Sequence, residues 1–225
     1  HIIIESNGFK IDDNFVKNLK TQIKNIKISK VFTGEGIVIN KNNAKGVIIK
    51  GVNVKNSVSL NILKQNIFEG DLKKFNKSSA FIGAELAFNL DLKVGDKINL
   101  MSSAFVTTPF GGMPKQETFV IKGIFRTGFF EFDQNFIFLN IDDALSIFDK
   151  ELSEQNLEVY ISDPMEADIF KNKIQKLNQN YFVYTWSDLN KSFFSALKVE
   201  RNVMFIILSL IIIVAAFNII SGLTI

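Results

Sequence analysis

The chain has 225 residues and a formal net charge of +3, with lysines and acids interspersed, so no nucleic-acid-binding surface is indicated. It contains no cysteine, which excludes disulfide bonds and thiolate metal sites. Its single histidine, His1, stands at one end and is not expected to bind a metal. We therefore predict no metal site and no cofactor in this chain.

Strand and helix patterns alternate in the first 53 residues. One helix is predicted from apolar residues that recur every four positions, at Ile11, Phe15, Leu19 and Ile23. Strands are predicted at residues 1–5, 26–32, 36–39 and 46–52. These elements, together with residues 149–186, are expected to form one α/β subdomain.

Residues 54–148 are predicted to form a β-rich subdomain inserted between those two halves. Strands at 80–82 and 97–101 flank a short helix at 84–90. An aromatic stripe is predicted on one face of a strand, at Phe130, Phe132, Phe136 and Phe138. Asp142 and Asp143 are expected to cap a short helix whose inward residues are Ala144, Leu145 and Phe148.

The second half of the α/β subdomain repeats the strand and helix pattern. Strands are predicted at 157–161 and 181–184, on either side of a helix at 166–177. Its inward residues are expected to be Ile169, Ile174 and Leu177.

Residues 104–117 have the composition of a long protruding loop. Pro109 and Pro114 cannot donate to a sheet ladder, and the segment is too long for a tight turn. Phe110 and Met113 are expected near its tip, where an aromatic ring and a thioether suggest a docking element for another protein. The residues alone leave open that Phe110 folds back on the domain.

The C-terminal segment, residues 203–225, has no charged side chain and would form a helix of roughly 35 Å, enough to cross a bilayer. Residues 187–202 would form a stalk leading into this span. The chain begins with His1 and ends in apolar sequence, so we expect a segment of a longer membrane protein. Lys191, Lys198 and Arg201 by themselves would favour a cytoplasmic side for the stalk.

The residues predict no catalytic activity. There is no G-x-x-x-x-G-K-[ST] phosphate loop, so ATP binding of that kind is not expected. The acidic pairs at 12–13 and 142–143 stand where helix caps belong, and the Glu131 and Asp133 pair on one predicted strand face is weak support for acid–base chemistry.

Three stretches of sequence carry a family resemblance. The first is Gly83-Ala84-Glu85-Leu86-Ala87 with Leu90, Leu92, Gly95 and Asp96. The second is Thr108-Pro109-Phe110-Gly111-Gly112-Met113-Pro114 with Gln116. The third is Glu200-Arg201-Asn202-Val203-Met204 followed by Ala215-Ala216-Phe217-Asn218-Ile219-Ile220. With these motifs the chain resembles the LolC/LolE lipoprotein-releasing ABC permeases, and more distantly the wider family of MacB and FtsX.

The resemblance implies an α+β fold. It would be a MacB-like periplasmic domain, with a porter-like α/β subdomain and an inserted β-rich subdomain, followed by a transmembrane helix. The soluble domain would lie in the periplasm of a bacterium and the helix in its inner membrane, which overrides the orientation suggested by the basic flank.

The resemblance also implies the site residues. A hook that binds the periplasmic carrier LolA would comprise Pro109, Phe110, Gly111, Gly112, Met113, Pro114 and Gln116. The next position is basic in the family pattern but is Glu117 in this chain, so that polar contact is expected to differ or to involve Lys115. A cavity for lipoprotein acyl chains would be lined by Asn202, Met204 and Phe205, although these residues fit helix packing equally well.

The implied partners are a LolD-like ATPase, a LolE-like or identical second permease, the LolA-like carrier, the lipoprotein substrate and membrane lipid. ATP and Mg²⁺ would be bound by the ATPase rather than by this chain. The sequence leaves two alternatives open: a MacB/FtsX-type permease with another substrate or a regulatory role, and a membrane-anchored receptor or scaffold.

Overall fold

The structure is a computed structural model that describes the whole chain except residues 7–10, 24, 42, 54–57, 59 and 110 and the side chains of Thr108 and Ser153. The chain divides into two units, His1–Val183 and Tyr184–Ile225.

The described residues form strands, α-helices and short 3-10 turns. The strands are β1 (Ile2–Ser6), β2 (Lys27–Asn40), β3 (Asn43–Val52), β4 (Ile67–Gly70), β5 (Ser79–Gly83), β6 (Lys97–Thr108), β7 (Gly111–Phe125), β8 (Phe136–Asn140), β9 (Asn156–Tyr160) and β10 (Tyr181–Thr185). The α-helices are α1 (Asp13–Gln22), α2 (Leu60–Asn66), α3 (Ala84–Asn89), α4 (Phe130–Asn135), α5 (Ile141–Ile147), α6 (Ala167–Leu177), α7 (Trp186–Leu189) and α8 (Lys191–Thr224). The 3-10 turns occur at Leu72–Lys74, Leu152–Glu154 and Pro164–Glu166.

Six strands of the first unit pair in a closed ring. β2 pairs with β3 and β6, β7 joins β6 to β5, and β8 joins β5 to β3. One buried cluster receives side chains from all six strands, including Val38, Val47, Ile82, Leu100, Ile121 and Leu139. Because alternate side chains of a strand point to opposite faces, this cluster fills the inside of the ring.

The first half of β2 extends the sheet beyond the ring. It pairs with β9, which pairs with β1, and β10 follows β1 at the edge. One face of this layer is covered by α1, in which Phe15 contacts the ring of Tyr181 at a centroid distance of 4.7 Å. The predicted inward face is confirmed, since Phe15 and Leu19 of α1 are buried, as are Ile11 and Ile23 just outside its two ends.

The two predicted strands at 26–32 and 36–39 are in fact one continuous strand, β2. The prediction of a break was wrong because the glycines make room for neighbours. A Cβ at Gly34 would overlap the ring of Phe148, and one at Gly36 would overlap Ile49. Strand β2 pairs with strands of both the ring and the outer layer, so it connects the two within the first unit. The predicted subdomain boundaries after residues 53 and 148 stay a prediction.

The predicted aromatic stripe was also wrong, because Phe130 and Phe132 lie in helix α4 and only Phe136 and Phe138 lie in a strand. Asp133 fixes the start of this helix: its carboxylate accepts hydrogen bonds from the backbone N–H groups of Thr127 and Gly128. Asp133 is buried, and it does not share a strand face with Glu131.

Helix α5 has a different cap from the predicted one. The N-cap is Asn140, and Asp142 and Asp143 lie in the first turn. Asp143 instead accepts a hydrogen bond from the backbone N–H of Ser78, at 2.7 Å. The predicted inward residues Ala144, Leu145 and Phe148 are buried. In α6, Ile174 is buried as predicted and Leu177 is partly buried, but Ile169 is exposed, so the prediction for Ile169 was wrong.

The second unit consists of the end of β10 and two helices. Thr185 caps the short helix α7, with its hydroxyl accepting from the N–H of Asp188. The long helix α8 begins at Lys191, after α7 has ended at Leu189. Among the described residues, α8 is the one helix long and apolar enough to cross a membrane.

The first sequence signature, around residues 83–96, has a structural role. Gly83 is the N-cap of α3 and packs against the backbone of Asp133 in α4. Leu90 and Leu92 are buried in the ring core, and Gly95 donates its N–H to the Ile121 carbonyl at 2.8 Å. The residues of this motif therefore stabilise the fold through packing and backbone hydrogen bonding.

Replacing Gly83 with Ala is expected to lower the free energy of unfolding by about 1–3 kcal/mol, because a Cβ there would overlap the Asp133 carbonyl oxygen. Thermal unfolding followed by circular dichroism measures the effect. Gly46→Ala is the matched control, since a Cβ at Gly46 meets nothing within 4 Å. Equal midpoints for the two variants would contradict the packing role of Gly83.

Candidate functional site

Strands β6 and β7 continue past the ring as a two-stranded ribbon. We call this ribbon, together with Gln116 and Glu117 at its base, the distal hairpin (residues 104–117). Phe105 lies opposite Pro114, and the pairing runs outward to Thr108 opposite Gly111. The predicted long loop was therefore wrong. Both prolines are compatible with the hairpin. Pro109 lies in the turn. Pro114 lies in the part of β7 before Val120, where pairing with β5 has not yet begun, so this part of β7 is an edge strand on that side and tolerates a proline.

Pro109 and Gly111 are the described residues at the turn of the distal hairpin. Gly111 has a φ of +114°, a backbone conformation that residues with a Cβ rarely adopt. A Cβ at this position would meet no other atom within 4 Å. Pro109 is exposed. Phe110, which the sequence places at the tip, lies outside the described residues.

Apolar side chains lie on both faces of the distal hairpin. Val106 and Met113 are directly opposite each other and share one face, with exposed fractions of 47% and 55%. Phe105, 68% exposed, shares the other face with Pro114 and lies beside Gly112. The sequence analysis missed Phe105 and Val106 because it treated this arm as a loop, and their exposure on opposite faces follows from the strand pairing.

The base of the distal hairpin is fixed to the C-terminal end of α5. The Ser102 hydroxyl donates to the Ile147 carbonyl at 2.5 Å and accepts from the Ala104 N–H at 3.2 Å. On the other arm, the Lys115 amine donates to the Ser146 carbonyl at 2.6 Å. The last carbonyls of a helix have no partner within it, so these contacts stabilise the helix end and the hairpin together.

Glu117 faces the same helix. Its carboxylate accepts a hydrogen bond from the Ser146 hydroxyl at 3.0 Å and lies 3.9 Å from the Lys115 amine. Gln116 is exposed. Thus the structure brings Gly111, Gly112, Met113 and Gln116 to one exposed ribbon and directs Glu117 towards the domain.

Asp143, in the first turn of α5, has a raised pKa. Burial is the main cause, and the carboxylates of Glu117 and Asp142 raise the pKa further. The N–H of Ser78 and the amine of Lys77 act in the opposite direction. Ionisation of Asp143 is therefore less favourable in the folded protein than in the unfolded chain.

The second predicted site lies on α8. Asn202, Met204 and Phe205 are exposed within this unit. At about 100° per residue, Phe205 lies between the other two, so a surface formed by all three would be centred on its ring. The Phe205 carbonyl also accepts a hydrogen bond from the Ser209 hydroxyl at 2.8 Å.

Comparison with known proteins identifies the family, although no family model matches. The lipoprotein-releasing system transmembrane protein LolC of Xylella fastidiosa (strain Temecula1) is 31% identical over 178 residues, which are 78% of this chain and 43% of that protein. LolC of Buchnera aphidicola subsp. Schizaphis graminum is 30% identical over 234 residues, which are 100% of this chain and 56% of that protein. The chain belongs to the LolC/LolE family. It spans about half the length of these curated relatives.

A solved structure shows the same fold. The periplasmic region of MacB from Actinobacillus actinomycetemcomitans superposes with a TM-score of 0.52 at 9% identity, covering 85% of this chain and 91% of that one. The predicted fold class, a MacB-like α+β domain followed by a transmembrane helix, is confirmed. At this identity the likeness concerns the fold alone, so it does not distinguish a lipoprotein-releasing permease from a MacB-type permease.

Replacing Asp143 with Asn is expected to make stability less dependent on pH. Because the folded-state pKa is raised, the acid contributes stability at low pH that is lost as the pH rises through the raised value. The amide stays neutral and can still accept from Ser78. The unfolding midpoint of the variant should therefore rise relative to that of the parent as the pH is raised from about 3 to about 6. A constant difference between variant and parent would contradict this.

Proposed function

We propose that this chain is the periplasmic domain and second membrane span of a permease subunit of an ABC transporter, one that extracts lipoproteins from the bacterial inner membrane and passes them to a LolA-like carrier. Family membership supports the assignment to a lipoprotein-releasing system. In this proposal the chain is a non-catalytic subunit. A LolD-like ATPase binds ATP and Mg²⁺, and a LolE-like or identical permease completes the pair.

The observation that carries the proposal is the distal hairpin with apolar side chains on two faces. A flat partner surface would cover only one face of a ribbon and leave Phe105 or Met113 in water. A partner with an apolar cavity would surround the ribbon and bury both faces. A carrier that holds acyl chains has a cavity of this chemistry, so the hairpin is suited to enter it.

The fixed base of the hairpin also favours docking. The Ser102 and Lys115 contacts with α5 hold the two arms before any partner arrives. Ordering a mobile loop would oppose association, whereas a hairpin that is already paired loses less entropy on binding. Pro109, Gly111, Gly112, Met113, Pro114 and Gln116, with Phe110 by sequence, would form the carrier-binding element.

The span would contribute to the lipoprotein path. In this proposal Asn202, Met204 and Phe205 line the start of the cavity that holds the acyl chains, with Phe205 at its centre. The membrane places α8 in contact with lipid and with neighbouring spans, and the lipoprotein would enter between them.

Replacing Met113 with Asp is expected to weaken binding of the purified LolA-like carrier at least about tenfold, because a charge would have to be buried in an apolar cavity. Phe110→Asp is expected to act in the same direction. The measurement is biolayer interferometry with the full-length subunit in nanodiscs and the carrier of the same bacterium.

The matched control is Met165→Asp. Met165 is 78% exposed and lies in the turn Pro164–Glu166, outside the distal hairpin. This variant should bind the carrier as the parent does. If Met113→Asp and Phe110→Asp both bind the carrier with undiminished affinity, the hairpin is not the docking element.

A photo-crosslinking amino acid at position 205 is expected to capture lipoprotein in the resting transporter, because that side chain would face the acyl chains. The same group at position 207 is the control, since Ile207 lies about 200° around the helix from Phe205. Immunoblots of the irradiated complex give the yields. Equal lipoprotein adducts from both positions would argue against a cavity centred on Phe205.

A further inference from the structure

The distal hairpin contains two charged residues, Lys115 and Glu117, in an otherwise uncharged segment. Both side chains are partly buried, with exposed fractions of 25% and 31%. Their positions within the hairpin would suit contacts with a partner protein. Their contacts in the structure are with the domain itself.

Lys115 is bound to the C-terminal end of α5. Its amine donates to the Ser146 carbonyl at 2.6 Å and lies 3.9 Å from the carboxylates of both Glu117 and Asp149. A cation at a helix C-terminus is favoured by the helix dipole as well as by the carbonyl oxygen. The Ser146 hydroxyl donates in turn to Glu117, which closes a small network between the helix and the hairpin.

The helix that receives these contacts is itself firmly packed. Ala144 and Ile147 are fully buried in the ring core, and the Ser102 hydroxyl binds the Ile147 carbonyl from the opposite arm of the hairpin. Both arms are thus held at the same helix end. Farther out, the described side chains between Phe105 and Met113 are uncharged. Gln116, between the two charged residues at the base, is exposed and has a neutral amide.

We infer that Lys115 and Glu117 are positioning residues that hold the base of the distal hairpin on α5, so that the hairpin meets its partner as an uncharged apolar element. The inference rests on the proposed function and adds the chemistry of the partner. The site on the carrier must be an apolar cavity without a charged group directed at residues 115 and 117. Association should then depend little on salt, since screening acts on exposed charges.

The first test measures carrier affinity for the full-length subunit in nanodiscs from about 50 to about 500 mM NaCl. We expect the Kd to change by less than about twofold, whereas a contact between exposed charges would weaken it about fivefold or more. The larger change would overturn the inference while leaving carrier docking in place. No binding at any salt concentration would instead overturn the proposed function.

The second test separates positioning from folding. Lys115→Met keeps the length of the side chain but removes the donor to Ser146, and is expected to weaken carrier binding by about three- to tenfold, because a less ordered hairpin loses more entropy on binding. Lys115→Arg should restore affinity, since a guanidinium can also reach the carbonyl. Lys30→Met is the control for loss of one positive charge, because Lys30 pairs with Asp13 away from the hairpin.

Hydrogen exchange of the hairpin amides gives a readout that does not need the carrier. Exchange at residues 104–108 and 111–117 should be faster in Lys115→Met than in the parent or in Lys30→Met, while the unfolding midpoints stay equal. Unchanged exchange together with unchanged carrier affinity would overturn the positioning role.

Discussion

The packing of α5 against β2 and β3 is the contact on which the distal hairpin depends. It is made possible by two glycines: a Cβ at Gly51 would overlap Ala144, and one at Gly34 would overlap the ring of Phe148. Because these strands present no side chain there, the helix lies close to the sheet and buries Ile147 completely. Its C-terminal carbonyls then face β6 and β7, where Ser102 and Lys115 bind them.

The distal hairpin and the rest of the domain have different roles in our proposal. The fold is similar to that of the periplasmic region of MacB over 85% of this chain, so the fold by itself does not specify a partner. The distal hairpin extends beyond the pairing with β2 and exposes Phe105, Val106 and Met113 to water. Exposed apolar side chains on a fixed ribbon are costly unless a partner covers them, which is why we propose that this element is the docking site.

Part of the fold could be predicted from the sequence because the signal was local. The four-residue spacing on α1 and the short helix after Gly83 depend on neighbours along the chain. The continuous β2, the helix at Phe130 and the hairpin could not be predicted in this way. Each depends on a contact that residue spacing does not report: Phe148 beside Gly34, the Asp133 carboxylate bound to the Thr127 N–H, and the second arm opposite Phe105.

The sequence by itself determined that the chain carries an uncharged span, identified its family through three motifs, and marked the segment with Pro109 and Met113 as unusual. Only the tertiary structure decided that this segment is a paired ribbon, that Phe105 and Val106 belong to it, and that Glu117 faces α5. The physical reason is that composition and spacing report a residue's local preference. The direction of a side chain across a hairpin is set by strand register and by the helix end that receives it.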